Sequence, residues 1–415
     1  MEQAKYLYGK DKIKLQNLLE QCTIWLYAWF AVRSVWLAFN SKKYSIMFYM
    51  FNQMEGYLCI PITFCLLLFN SYRCIKKKDF WVIILPATYW IMCVLNTYGG
   101  WPFGSGIVTL VQISLYLCLD SRMKAEVFDK FYRIIQANNI ISLLVWVCYQ
   151  IHIPIGFKTV DYYFGDWAVY KKWLIFALYH QNSYSSILLD RLCGIFNEPG
   201  ALGTICALLF IITFEKTKLW EKILLLLTGL LTYSVAFFVL TFGFLIVYLC
   251  VKDSRYIVLA IGLVILFLKI PTIDWKNDAL NGLASRLIIS GNGLSGNNRL
   301  TDSYKASYEA MKKTSYILCG YGKGFDFSEG SLSYVKYIVQ FGYIGFGIMM
   351  IQWLGMTVVN IKSKMQYVYV LFFFASLYQR PAPIISILGY VLVFGGLSWM
   401  QREEQIRKIK GKWYD

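Results

Sequence analysis

Charged residues are scarce in this chain of 415 residues, because Asp, Glu, Lys and Arg make up 16% of it while hydrophobic residues make up 58%. Soluble globular proteins carry about 25% charged and about 45–50% apolar residues. The composition excludes an ordinary soluble enzyme. It predicts an integral membrane protein.

Residue types and motifs that would indicate cofactor chemistry are also missing. The chain has two histidines, too few for a histidine metal site, and its eleven cysteines contain no C-x-x-C pair. No G-x-x-x-x-G-K-[S/T] motif occurs, which excludes a Walker-type nucleotidase. The stretch GYGKGF (320–325) follows no predicted strand, so we interpret it as a tight turn. We therefore expect no cofactor and no bound metal.

Twelve apolar segments are long enough, or nearly so, to cross about 30 Å of hydrocarbon as helices. They are 22–39, 46–70, 80–97, 104–119, 138–152, 199–214, 222–235, 237–251, 256–270, 335–358, 366–379 and 384–400. The expected fold class is an all-α integral membrane protein with about 12 transmembrane helices. Residues 1–415 would form a single polytopic domain, in which the division of 222–251 is the least distinct.

Lysine and arginine placement predicts the orientation of this bundle. The basic loops are 73–79, 121–133, 215–222, 251–255, 362–364 and the tail 401–412, which all fall on one side. The positive-inside rule makes that side, and both termini, cytoplasmic. The formal net charge of +17 is then a topology signal, supported by anionic membrane lipid, and no nucleic-acid partner is expected.

Two long loops remain on the outer side, at about 153–198 and 271–332, and loops of that length are usually functional. Within the first, GDWAVYKKWLIFALYH (165–180) suggests an interfacial or re-entrant helix. Within the second, TDSYKASYEAMKK (301–313) predicts a helix, because Tyr304, Tyr308 and Met311 share one face.

The stretch RLCGIFNEPG (191–200) places charged residues just before the sixth apolar segment. Pro199 suits the first turn of a helix, so Glu198 would lie beside a positive helix end. One interpretation is a capping carboxylate paired with Arg191. The other is a general base at the membrane surface, with Arg191 binding an anion.

A second group of charged residues lies elsewhere in the sequence. Arg299 precedes the predicted helix of the second loop, and it is either a solvated arginine in a loop or part of a phosphate site, since a helix start with an arginine suits phosphate. Arg286 and Arg380 are further anion-binding candidates, and His180 is a candidate base or a structural interfacial residue. Arg33 and Glu55, at similar depths in the first two segments, are expected to form a structural ion pair.

These residues resemble a known family. Arg191, Gly194, Phe196, Glu198 and Pro199 look like the R-x-x-G-x-F-x-E-P pattern of bacterial O-antigen and capsule polymerases of the Wzy type. The sequence NRL (298–300), followed by a helix and GYGKGF, resembles the corresponding loop of the O-antigen polymerase and ligase superfamily. The resemblance covers about residues 190–345 by motif and the whole chain by topology.

The resemblance implies a GT-C-like bundle in the bacterial inner membrane, with its active site facing the periplasm. The implied enzyme moves a growing glycan from undecaprenyl pyrophosphate onto the terminal hydroxyl of a new lipid-linked repeat unit, without metal or nucleotide sugar. Glu198 would be the base, and Arg191 and Arg299 would stabilise the pyrophosphate. The implied substrate-binding residues are Arg286, Arg380, His180, Asn298 and Tyr304. A chain-length regulator is the expected protein partner.

Three alternatives stay open. An O-antigen ligase would transfer glycan to lipid A–core, but ligases tend to carry a Ser-Arg step and a second-loop histidine. Here Ser234 is followed by valine and the second loop has no histidine. A flippase or other transporter would predict repeat symmetry and short loops on both sides. A non-catalytic assembly partner is the third.

Overall fold

The structure is a computed structural model that describes residues 2–34, 50, 60–65, 68, 103–164, 166–180, 190–276, 281, 284–285, 288–290, 293–294, 302–322, 334–378 and 386–411. Its helices are α1 (Glu2–Arg33), α2 (Phe103–Cys118), α3 (Ser121–Gln150), α4 (Pro199–Thr213), α5 (Leu219–Leu231), α6 (Val235–Lys252), α7 (Ile257–Lys269), α8 (Asp302–Lys312), α9 (Tyr316–Cys319), α10 (Tyr334–Asn360), α11 (Lys364–Leu377), α12 (Ile387–Tyr390) and α13 (Gly396–Gly411). The strands are β1 (Lys158–Phe164), β2 (Asp166–Trp173), β3 (Phe176–His180), β4 (Arg191–Gly194), β5 (Ile289–Ser290) and β6 (Gly293–Leu294).

Among the described residues, three helices, α3, α6 and α10, are long and apolar enough to cross a membrane. The shorter apolar helices include α4, α11 and the segment Ile257–Thr272. The molecule is therefore mostly helical and has the character of a membrane protein, whereas the number of twelve spans stays a prediction. The apolar segment 80–97 and most of 46–70 lie outside the described residues, as does Glu55, the expected partner of Arg33.

Helix α3 begins well before the apolar segment predicted at 138–152. Asp120 caps it, because its side chain accepts a hydrogen bond from the Met123 backbone N–H at 2.7 Å. The basic stretch that the sequence assigns to a loop is thus the first half of a 30-residue helix.

The prediction of a helix at 165–180 is wrong, so the mostly helical fold is not purely α-helical. Residues 158–194 contain a four-stranded antiparallel sheet in the order β1-β2-β3-β4. Aromatic and β-branched residues make up most of β1 and β2 taken together, and such residues favour a pleated, half-buried surface. A tight hairpin joins β2 to β3, where Trp173 pairs with Phe176 and Leu174 takes a positive φ of 53°. A continuous helix could not include that residue without strain.

The helices define two ends of the bundle. At the sheet end lie β1–β4, the end of α3 and the start of α4. At the opposite end, the basic end, Arg122 pairs with Glu20 at 2.5 Å, and the buried Lys216 ammonium donates to the Met400 carbonyl oxygen. Arg402 lies 4.0 Å from Asp129 at the same end. Basic residues from three of the predicted basic loops, Arg122, Lys216 and Arg402, therefore lie at one end of the bundle, and the cytoplasmic assignment of that end stays a prediction.

Helix α4 is the centre of the bundle. All of its residues are buried, and it packs against α5, α6, α11 and α13. A helix that is apolar on every side must be covered on every side. The segment that enters it, Arg191–Glu198, is therefore attached to a helix that is enclosed along its whole length.

Helix α10 is interrupted near the sheet end. Gly342 has φ 67° and ψ 178°, so the helical hydrogen bonding breaks there. The turn after α9 inserts at the break, where the Tyr321 and Gly322 N–H groups donate to the Val339 and Gln340 carbonyls at 2.8 and 2.9 Å. Both Gly320 and Gly322 have positive φ, which is consistent with the turn predicted for GYGKGF. The turn thus supplies donors to the Val339 and Gln340 carbonyls beside the break.

Candidate functional site

The segment RLCGIFNEPG forms a strand, a bulge, a turn and a helix start. Arg191–Gly194 is β4, and its register with β3 shifts so that Leu178 pairs with Leu192 but Ala177 with Gly194. Cys193 is therefore the extra residue of a bulge, a device that bends a strand and re-aims its side chains. The turn closes with a hydrogen bond from the Phe196 N–H to the Cys193 carbonyl at 3.1 Å. Phe196 itself is fully buried and anchors the turn.

Position 194 requires a glycine, both because of its backbone conformation and because neighbouring side chains leave no space for a Cβ atom. Its φ is +60°, and a Cβ at this position would lie 2.7 Å from Asn138 Oδ1 and 2.7 Å from Ser142 Oγ. The same Asn138 Oδ1 accepts hydrogen bonds from the Ile195 backbone N–H and from Ser142, each at 3.2 Å. Helix α3 thus holds the turn through a buried polar contact. Asn138 and Ser142 are not among the sequence-predicted site residues, although an asparagine pair inside an apolar segment is a visible signal.

Arg191 connects the sheet to the end of α5. Its Nε donates to the Thr232 carbonyl at 2.9 Å and its Nη2 to the Tyr233 carbonyl at 3.3 Å. A cation is favourable at this negative helix end, where carbonyls lack helical partners. Arg191 therefore stabilises the end of α5, in addition to any contact that it makes with a ligand.

A row of side chains crosses the sheet beside Arg191. Tyr170 pairs with Tyr179, and Tyr179 pairs with Arg191, so all three lie on one face. The two rings meet edge to face at 5.4 Å, and the Arg191 guanidinium lies 5.9 Å from the Tyr179 ring. The buried Tyr170 hydroxyl donates to the Asn197 carbonyl at 2.8 Å. The row thus fixes the residue immediately before Glu198.

Glu198 occupies the N-cap position of α4, and Pro199 opens the helix as predicted. The Glu198 carbonyl accepts from the Ala201 and Leu202 N–H groups, whereas its carboxylate forms no capping hydrogen bond. The purely capping interpretation is therefore not what the structure adopts. The half-buried carboxylate lies at the sheet end, beside the positive end of the central helix.

A second acidic residue, Asp190, lies next to Arg191. It is only 5% exposed, and its carbonyl accepts a hydrogen bond from Trp146 Nε1 at 3.1 Å. The Tyr149 hydroxyl lies within hydrogen-bonding reach of its carboxylate. Asp190 is not among the sequence-predicted site residues, because one aspartate in a long loop belongs to no recognisable pattern.

The second loop contributes one confirmed element. Helix α8 spans Asp302–Lys312, as the sequence predicts, and Met311 is fully buried against α10 while Tyr308 packs beside it. The remaining candidates Arg286, Asn298, Arg299 and Arg380 lie outside the described residues. His180 and Tyr304 have backbones in β3 and α8, and their side chains lie outside the description. That these residues lie close to Arg191 and Glu198 stays a prediction.

The described part of the chain contains no group of three or more His, Cys, Asp or Glu side chains arranged to hold a metal ion. A carboxylate, an arginine and two tyrosines at the sheet end can offer proton transfer, hydrogen bonding and a positive charge. Comparisons of the chain with protein-family models, with curated proteins and with solved structures found no match.

Proposed function

We propose that the chain is a membrane glycosyltransferase that polymerises lipid-linked oligosaccharide repeat units. The observation that carries the proposal is the placement of Glu198: the bulged strand, the Asn138 contact and Tyr170 together hold it at the mouth of the buried helix α4. A reacting group needs to be held in position in this way, because a small displacement lowers the reaction rate by a large factor.

The proposed reaction forms one bond and breaks one. The terminal hydroxyl oxygen of a lipid-linked repeat unit attacks the anomeric carbon of the growing glycan. The bond from that carbon to undecaprenyl pyrophosphate breaks, and the pyrophosphate leaves with the electron pair. Glu198 takes the hydroxyl proton. Arg299, and Arg191 in addition to its structural bonds, stabilise the negative charge of the leaving group. Arg286, Arg380, His180, Asn298 and Tyr304 are the proposed substrate contacts.

The proposal includes the finer topology. A bundle of about 12 spans would lie in the bacterial inner membrane, with the basic end in the cytoplasm and the sheet end in the periplasm. Helix directions support this, because the ends of α3 and α5 and the starts of α4 and α6 meet at the sheet end. The substrate would arrive on its polyprenyl carrier from the bilayer, and a chain-length regulator is the proposed partner. No nucleotide sugar is required.

The second candidate function is transfer of the glycan to lipid A–core. The polymerase and the ligase differ in the acceptor that receives the glycan, so an assay with each acceptor distinguishes them. Purified protein is given undecaprenyl-pyrophosphate-linked repeat units, with and without lipid A–core, and the products are separated by size. A ladder of glycans on the polyprenyl carrier supports the polymerase. Glycan found only on lipid A–core makes the protein a ligase, and sugar that crosses the bilayer unchanged makes it a transporter.

Glu198→Gln is the sharpest variant, because it keeps the size of the side chain and removes the base. Removal of a general base costs about 10²–10⁴-fold in rate. The matched control is Glu126→Gln in α3, a carboxylate at the basic end that pairs with Arg122 at 3.4 Å. A ladder of normal rate from Glu198→Gln would rule out the assigned base. Arg299→Ala is preferred over Arg191→Ala as the arginine test, since Arg191 also holds the end of α5.

A further inference from the structure

Four tyrosines form an exposed aromatic surface at the sheet end of the bundle. They are Tyr308 in α8, Tyr334 and Tyr343 in α10, and Tyr378 at the end of α11, and we call them the tyrosine surface. Tyr378 is 57% exposed and Tyr343 43% exposed, while the other two are half-buried. None of these residues belongs to the Arg191–Glu198 segment.

Contacts within the surface hold the rings in place. The rings of Tyr334 and Tyr378 stack with centroids 5.4 Å apart and an interplanar angle of 28°. The hydroxyls of Tyr308 and Tyr343 are hydrogen-bonded to each other. Beneath them, the buried Met311 packs with Val335 and Val339, which fixes α8 on α10. Rings that are already ordered lose little entropy when a ligand covers them.

A charged pair borders the rings. The Lys312 ammonium lies 4.4 Å from the Tyr308 ring centroid and 2.7 Å from the Glu309 carboxylate. The two side chains are 40% and 60% exposed, so both can exchange their water for ligand hydroxyls. The surface therefore combines flat apolar faces, phenol hydroxyls, a donor and an acceptor.

We propose that the tyrosine surface binds the glycan chain itself. A sugar ring presents C–H groups of slight positive charge on one face, and these lie well against the negative face of an aromatic ring. Its hydroxyls, at the ring edge, need donors and acceptors, which the Lys312–Glu309 pair and the phenols supply. Helix α8 begins three residues after Arg299, the proposed pyrophosphate contact, so Tyr308 of the tyrosine surface and that contact belong to the same loop of the sequence. The identity of the glycan as a substrate rests on the proposed function.

The rival explanation is a belt of tyrosines that anchors the protein at the membrane interface. A matched pair at the basic end separates the two. Tyr256 is 42% exposed and Tyr367 is 57% exposed, which matches Tyr343 and Tyr378, but they lie at the opposite end of the bundle. The double variants Tyr343→Ala/Tyr378→Ala and Tyr256→Ala/Tyr367→Ala therefore remove equal amounts of exposed tyrosine from opposite ends.

The probe is a set of carrier-free oligosaccharides, prepared by mild acid cleavage of the surface polysaccharide of the cells from which the sequence comes. Binding to full-length protein in lipid nanodiscs is measured by equilibrium dialysis, and thermal unfolding is recorded for each variant. The expected result is a dissociation constant about tenfold higher for Tyr343→Ala/Tyr378→Ala, from the loss of two ring contacts. The basic-end variant should bind like the parent protein.

Two results would overturn the inference: no binding by the parent protein, or equal losses in both double variants. The repeat-unit assay distinguishes this from failure of the proposed function. If a ladder forms but binding does not depend on Tyr343 and Tyr378, only the tyrosine surface is wrong. If binding depends on them but no ladder forms, the polymerase is wrong and the surface remains a glycan-binding site.

Discussion

Replacing Gly194 with alanine should destabilise the protein by about 3 kcal/mol. The left-handed conformation costs an alanine about 1–2 kcal/mol. The new Cβ would lie 2.7 Å from Asn138 Oδ1, so Asn138 must move and give up its bonds to the Ile195 N–H and to Ser142. Each such bond is worth about 1 kcal/mol. The free energy of unfolding, measured by denaturant titration in micelles, reports the sum.

Gly156→Ala is the matched control. Gly156 also has a positive φ, +76°, but nothing lies within 4 Å of its Cβ position. Its alanine variant should lose only the conformational part, about 1–2 kcal/mol. The difference between the two variants, about 2 kcal/mol, is the cost of disturbing Asn138. Equal losses in both variants would refute the account of how α3 holds the turn before Glu198.

Other expectations follow from single contacts. Arg191→Met should cost about 1.5–3 kcal/mol in unfolding free energy, because two carbonyls at the end of α5 lose a charged donor, and Arg191→Lys should recover part of it. Tyr170→Phe should cost about 1 kcal/mol and slow glycan transfer more than it weakens substrate binding, which kcat and KM measured separately would reveal. Partial burial, and next the charge of Lys158, lower the pKa of Lys172 below 10.5. As the pH rises, Lys172 therefore loses its proton at a lower pH in the folded protein than in the unfolded chain. The free energy of unfolding should then increase with pH just below 10.5, and Lys158→Gln should make that increase smaller. A slope unchanged in Lys158→Gln would mean that the two lysines do not interact.

The sequence identified the helices well where apolar length is decisive. The segments at 199–214, 237–251, 335–358 and 366–379 each correspond to a helix whose ends lie within a few residues of the prediction. The reason is general, since a backbone in an apolar environment must satisfy its own hydrogen bonds, and a helix does so locally. The helix start at Pro199 and the helix that carries Tyr308 and Met311 on one face were also predicted, because both depend only on residues nearby in the sequence.

The first outer loop shows where local rules fail. The segment 165–180 carries enough apolar residues for a helix, but its strands are stabilised by partners far away in the sequence, such as Arg191 opposite Tyr179. Pairing between strands depends on such non-local contacts, so the same residues suit either structure until the partner is known. The bulge at Cys193 and the contact of Gly194 with Asn138 are invisible for the same reason.

By itself, the sequence determined that this is a mostly helical protein of membrane character, because hydrophobicity acts on each segment separately. It also supplied Glu198 and Arg191 as candidates, from the residue types and the spacing of one short motif. Only the tertiary structure decided that Arg191 caps α5 and that Asn138 and Tyr170 hold the turn before Glu198. It alone assembled the tyrosine surface from three helices. Those contacts join residues far apart in the chain, and their energies exist only once the chain has folded.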